Sequence, residues 1–158
     1  MIRAAVITVS DRSAAGERED RGGPVAVEAL RGAGYACDDA VVVPDGAWSV
    51  EAALRDALAA GARIVVTTGG TGVGPRDLTP EGTEPVLDRH LRGIPEELRR
   101  IGAGVAPGGL LSRGLAGVAG RGFVVNLPGS PGAVRDGVGL VLRLAPHVLS
   151  QLDGGDHG

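Results

Sequence analysis

Four short runs rich in apolar and β-branched residues, 4–10, 36–43, 63–68 and 123–127, most constrain what this chain can become. The first is unbroken and reads as a strand buried on both faces. The second ends in Val41-Val42-Val43, the third is Arg-Ile-Val-Val-Thr-Thr, and the fourth is Phe-Val-Val-Asn-Leu. Between and after them lie segments with helical spacing. Pro24 opens one that runs to about Ala33, with Val25, Ala29 and Leu30 on one face and Gly34 as its stop. Ser49 is a candidate cap for a second, whose stripe is Val50, Ala53, Leu54, Ala57 and Leu58.

Further along, Thr79 as cap and Pro80 at the first position predict a helix to about Leu91, followed by a shorter one over 95–101. Segment 102–122 holds eight glycines among scattered apolar residues and reads as close-packed loop with one short element. A last helix starts at Ser130-Pro131 and keeps its apolar stripe for five turns, with a kink expected at Pro146. Strands alternating with helices imply a parallel sheet covered on both faces, in one α/β domain over 1–152. Residues 153–158 read as a flexible, frayed tail.

Charge and composition narrow the functions. A net charge of −3 and pI near 5.6 give no basis for binding nucleic acid, and one Phe, one Trp and one Tyr cannot form a stacking platform. No run reaches about 18 apolar residues, so no membrane span is expected. The N-terminus enters a strand pattern directly, and Cys37 is alone, which together predict a cytoplasmic protein. His90 in a helix, His147 near the C-terminus and His157 in the tail make no zinc ligand set.

In open parallel sheets ligands bind beyond the carboxyl ends of the strands. Three unusual segments lie there: Ser10-Asp11, Thr68-Gly69-Gly70-Thr71-Gly72 and Asn126-Leu127-Pro128-Gly129-Ser130-Pro131. A glycine loop presents backbone N–H groups to an anion, to which Thr71 adds a hydroxyl; it also serves plain tight packing. Asp77 either supports the following helix start or holds Mg²⁺ over phosphates. Arg76 pairs either with a phosphate or with a neighbouring acid. Asp45, in Pro-Asp-Gly, is either a turn residue or a ligand. Asn126 and Ser130 offer hydrogen bonds beside a helix N-terminus, and Ser112-Arg113 offers a hydroxyl and a guanidinium.

The ordered set Thr8–Asp11, Val43–Asp45, Thr68–Gly72, Pro75–Glu81, Leu111–Arg113 and Asn126–Pro131 resembles the Mog/MoaB family of molybdenum-cofactor biosynthesis proteins over about residues 4–150. The resemblance implies a three-layer α/β/α sandwich with a mostly parallel sheet. It implies a homo-oligomer, trimer or hexamer, with a downstream molybdenum-insertion protein as a further partner. The implied activity is Mg²⁺-dependent transfer of AMP from ATP to the terminal phosphate of molybdopterin; a non-catalytic molybdopterin or nucleotide carrier is the alternative. On this pattern Asp45 and Asp77 are the catalytic and Mg²⁺-binding acids. Ser10, Asp11, Gly69, Gly70, Thr71, Gly72, Arg76, Ser112, Arg113, Asn126, Pro128, Gly129 and Ser130 line the substrates. The chain departs from the family at Asp20-Arg21-Gly22-Gly23-Pro24, where Gly22 replaces a serine. Trp48 is expected to cover an edge of the second helix or an interface.

Overall fold

A computed structural model describes residues 1–156 and forms one three-layer α/β/α domain; His157 lies outside the described residues. The strands are β1 (Arg3–Val9), β2 (Ala36–Cys37), β3 (Val41–Val43), β4 (Ile64–Thr68), β5 (Arg89–His90), β6 (Ala116–Ala119) and β7 (Gly122–Leu127). Both β2 and β3 pair with β1, and the order then runs β1-β4-β7-β6-β5. Strands β2, β3, β1, β4 and β7 are parallel, whereas β6 pairs antiparallel with both β7 and β5 and alone runs against the rest.

Side chains alternate between the sheet faces, as the two-residue period of a strand requires. Val6, Val66, Phe123 and Val125 point to the face covered by α2 (Gly22–Gly32), α5 (Gly93–Val105) and α6 (Pro131–Leu152). Ile7, Val9, Val65 and Val124 point to the other, where α3 (Ala47–Ala59) packs with Val50 and Leu54. Aliphatic residues therefore fill both layers, and Phe123 is the largest fully buried side chain.

Several local expectations are corrected. The 36–43 run is two strands, because Asp38-Asp39-Ala40 on one side faces only Ala5-Val6 of β1 on the other. The extra residue interrupts pairing as a bulge does. The helix expected over 79–91 stops early. Only α4 (Thr79–Thr83) is α-helical; a 3₁₀ turn at Glu84–Val86 follows, and then β5, which includes His90. Pro85 has no N–H to offer the Glu81 carbonyl, so the α-helix cannot propagate through it. Thr79 is not the cap: its hydroxyl donates to Gly69 O at 2.9 Å. Nor is Ser49, whose hydroxyl holds Pro44 O and Gly46 O inside the first turn of α3.

The glycine-rich stretch contains the end of α5, a 3₁₀ turn at Pro107–Leu111, and β6. Gly102 and Gly109 are a contact point, since a Cβ at Gly109 would stand 2.3 Å from the Gly102 carbonyl carbon. Helix α6 continues through Pro146 to Leu152. Asp153, expected to begin a loose tail, accepts hydrogen bonds from Arg63 at 2.9 Å and Arg121 at 2.7 Å. No helix among the described residues is long and apolar enough to cross a membrane.

Candidate active site

Beyond the carboxyl ends of β1, β3 and β4 the chain turns sharply three times, and the turns are tied together. Ser10 caps the short helix α1 (Asp11–Ala14) by accepting from Ser13 N at 3.2 Å. Asp11 N donates to Asp45 Oδ2 at 3.0 Å, and Asp45 N donates to Asp11 Oδ1 at 3.1 Å. This reciprocal pair locks the β1 and β3 exits together. It also leaves Asp45 Oδ1 beside Gly70, where a Cβ would be 3.2 Å away.

The glycine loop has backbone only glycine adopts readily. Gly69 and Gly70 have φ of 89° and 69°, and a Cβ at Gly69 would lie 2.4 Å from Val9 O. Asp77 flanks the far end, where a Cβ at Gly72 would be 3.0 Å from its Oδ2. That oxygen also accepts from Gly74 N at 3.0 Å. Asp45 and Asp77 thus stand on either side of one loop and line one cavity of about 520 Å³, with Ser10, Asp11 and residues 69–72.

Electrostatics separate these acids. Arg76 donates to both Asp11 oxygens at 3.0 Å, which holds the Asp11 carboxyl below its usual range. Burial pushes Asp45 up, opposed by the Asp11 N–H and reinforced by the negative charges of Asp11 and Asp77. A cation between Asp45 and Asp77 would relieve that repulsion. Their hard oxygen donors suit Mg²⁺, which takes one or two carboxylates and completes its shell with water and phosphate. Among the described residues no three His, Cys, Asp or Glu side chains form a metal cage, so phosphate oxygens and water would supply the rest of the shell.

A second cavity, about 410 Å³, shares Thr71 and Gly72 with the first. Its apolar walls include Leu98, Ile101 and Val105 of α5 and Ala133 of α6. Ser112, Asn126, Pro128 and Ser130, all expected to line substrate, border it. Gly129 lies on the first cavity instead. The loop is therefore the common wall of two chambers.

Three expected substrate contacts have other work. Arg76 is engaged by Asp11 and by Asp45 O at 2.9 Å. Arg113 reaches Gly72 O at 2.8 Å, Asp77 O at 2.7 Å and Glu81 Oε2 at 2.7 Å, which makes it a brace behind the loop. Asn126 is 1% exposed. Its amide donates to Thr67 Oγ1 at 2.9 Å and Thr83 Oγ1 at 3.0 Å, while its oxygen accepts from Leu115 N at 3.0 Å. Its side chain has no donor left for a ligand. From Thr83 the network continues to Thr79 O, and Thr79 Oγ1 supports Gly69 O.

Sequence reasoning assigned no role to Thr8 and Asp20. Thr8 Oγ1 donates to Asp20 Oδ2 at 2.7 Å, and Gly23 N to Asp20 Oδ1 at 3.0 Å, which pins the start of α2 to the sheet. At Gly22 a Cβ would meet Gly129 O at 2.9 Å, so the two turns pack backbone to backbone here. Trp48 is 82% exposed, so among the described residues it is left mostly uncovered.

Comparison with known proteins points to one family. The family described as "Probable molybdopterin binding domain" matches residues 5–147. The chain is similar to the molybdenum cofactor biosynthesis bifunctional protein of Synechococcus elongatus, at 41% identity over 155 residues, 98% of this chain and 49% of that protein. It thus spans about half that relative's length. It is 39% identical to the molybdopterin adenylyltransferase of Pyrococcus furiosus, over 91% of this chain and 87% of that one. Among solved structures, the Mog protein of Mycobacterium ulcerans superposes with a TM-score of 0.91 at 42% identity, covering 96% of this chain and 99% of that one. MoaB of Thermus thermophilus superposes with a TM-score of 0.88 at 40% identity, covering all of both chains.

Proposed function

The chain belongs to the Mog/MoaB family of molybdopterin-binding domains, and on that premise we propose that it is a molybdopterin adenylyltransferase of molybdenum cofactor biosynthesis. In this reading a terminal phosphate oxygen of molybdopterin attacks the α-phosphorus of ATP. A new P–O bond forms, the bond to the β-phosphate breaks, and its electron pair leaves with pyrophosphate. No side-chain nucleophile is needed, since the attacking phosphate is already an anion.

The observation that carries the proposal is that Asp45 and Asp77 line one cavity at the two ends of the glycine loop, and that a second cavity shares Thr71 and Gly72 of that loop. Two anionic reactants, one in each cavity, can then meet at the backbone of Thr71 and Gly72. Holding them in line converts a repulsive encounter into an ordered one. Asp45 and Asp77 would hold Mg²⁺, whose chemistry there is to neutralise phosphate oxygens. The Asp11–Asp45 pair and the Arg113 brace keep the carboxylates and the loop in register. Exposed apolar side chains at Trp48 and Val41, and at Val105 and Leu110, suit the proposed homo-oligomer.

The test is direct. Purified protein is given molybdopterin, ATP and Mg²⁺, and both pyrophosphate and adenylylated pterin are measured. Stoichiometric release of both supports the transferase. Tight pterin binding without product would show a carrier instead, and an Asp77→Ala protein with the wild-type rate would remove that carboxylate from the mechanism.

A further inference from the structure

The arginines that the sequence set beside phosphate, Arg76 and Arg113, are both engaged by carboxylates and main-chain carbonyls. Three others line the chamber that holds Asp45 and Asp77: Arg12 on α1, Arg18 in the connection to α2, and Arg21 at the start of α2. None of the three enters an ion pair among the described residues. Glu19 and Asp20 line the same chamber, yet neither pairs with these arginines, whose planar donor forks match phosphate oxygens.

The direction of the reaction gives them a role. In-line displacement places the attacking and leaving oxygens on opposite sides of the α-phosphorus. The chamber beside α5 and α6 has apolar walls suited to a flat ring and no carboxylate pair, whereas the α1-side chamber carries Asp45 and Asp77. If the pterin phosphate arrives from the α5 side, over Thr71 and Gly72, the leaving group must depart toward α1. It departs toward the three arginines.

We propose that Arg12, Arg18 and Arg21 form the seat for the β- and γ-phosphates of the nucleotide, and for the pyrophosphate these become. The seat rests on the adenylyl-transfer reading and adds to it. It makes the chamber selective for a triphosphate over a monophosphate, because AMP has no group that reaches the seat. The guanidiniums offset charge as it develops on the leaving pyrophosphate, so their removal slows the bond-breaking step as well as weakening binding.

The experiment measures binding of Mg-ATP, Mg-pyrophosphate and AMP by calorimetry to the full chain, the Arg12→Ala/Arg18→Ala/Arg21→Ala protein, and the Arg12→Lys/Arg18→Lys/Arg21→Lys protein. Arg89→Ala serves as a distant control, since Arg89 is exposed on β5 and lines neither chamber. A charged hydrogen-bonding group contributes about tenfold in affinity, so the triple Ala protein should lose at least about 100-fold for Mg-ATP and Mg-pyrophosphate. AMP affinity should stay within about twofold. The triple Lys protein should fall between, because charge is kept and the fork is lost. Thermal unfolding of each variant shows that it is folded.

Wild-type affinity for Mg-pyrophosphate in the triple Ala protein would overturn the seat and leave adenylyl transfer standing. An equal loss for AMP would also overturn it, since a general field or a shifted loop would then be the cause. A wild-type protein that binds none of the three ligands would remove both the seat and the transferase reading.

Discussion

Replacing Asn126 by aspartate separates an internal joint from a ligand contact. The side chain is 1% exposed and meets two threonine hydroxyls and one backbone N–H, with no cation among these partners. Aspartate preserves the shape but brings a charge to a buried site. Burial alone can raise a carboxyl pKa by up to about 3–5 units. The hydroxyls of Thr67 and Thr83 can turn to donate, although Thr83 then gives up its 2.8 Å bond to Thr79 O. Taking about 2 units as the net rise gives a cost of roughly 3 kcal/mol at neutral pH. The sign follows from linkage. Because the folded-state pKa would lie above the unfolded value near 3.9, the folded state binds the extra proton more tightly. Stability relative to wild type is therefore nearly intact below about pH 4 and is lost as pH rises toward the shifted value. Urea unfolding of Asn126→Asp and wild type at several pH values from 4 to 8 reads this directly. A ΔΔG that is flat with pH, or near zero at pH 8, would refute the internal-joint reasoning and return Asn126 to the substrate side.

Three other outcomes follow from the same geometry. Asp45→Asn should cut adenylyl transfer by at least about 100-fold without destabilising the fold: burial raises the Asp45 pKa, so its ionised form costs stability as pH climbs above the ordinary carboxylate range, and an unfolding curve at pH 8 showing Asp45→Asn clearly less stable than wild type would contradict this. Gly70→Ala forces a φ of 69° on an L side chain and puts its Cβ 2.2 Å from Thr79 Oγ1; a loss of about 2 kcal/mol or more in unfolding free energy, with weaker nucleotide binding, is expected. Arg113→Lys removes the fork that reaches Gly72 O, Asp77 O and Glu81, so it should cost about 1–2 kcal/mol and raise the KM for ATP, and an unchanged KM would show that the loop needs no brace.

The layered core and the order of the chemistry along the chain were legible in the residues alone. Runs such as Val65-Val66 and Val124-Val125 send successive side chains to opposite faces, and the α3 and α6 stripes match those faces, because strand and helix periods are local properties of the backbone. Likewise Gly69 and Gly70 mark positive φ wherever the loop sits. Partner choice was decided only in three dimensions. Arg76 and Arg113 look equally suited to phosphate in the sequence, yet acids 65 and 32 residues away in sequence claim them. Asn126 looked like a ligand until Thr67 and Thr83, 59 and 43 residues away, absorbed its amide. The short α4 and the antiparallel β5 and β6 also escaped local reading, because β5 forms by pairing with β6, a contact between Arg89 and Val118 that no window of neighbouring residues contains. Periodicity is carried by adjacent residues, whereas hydrogen-bond satisfaction depends on which distant groups the fold brings within about 3 Å.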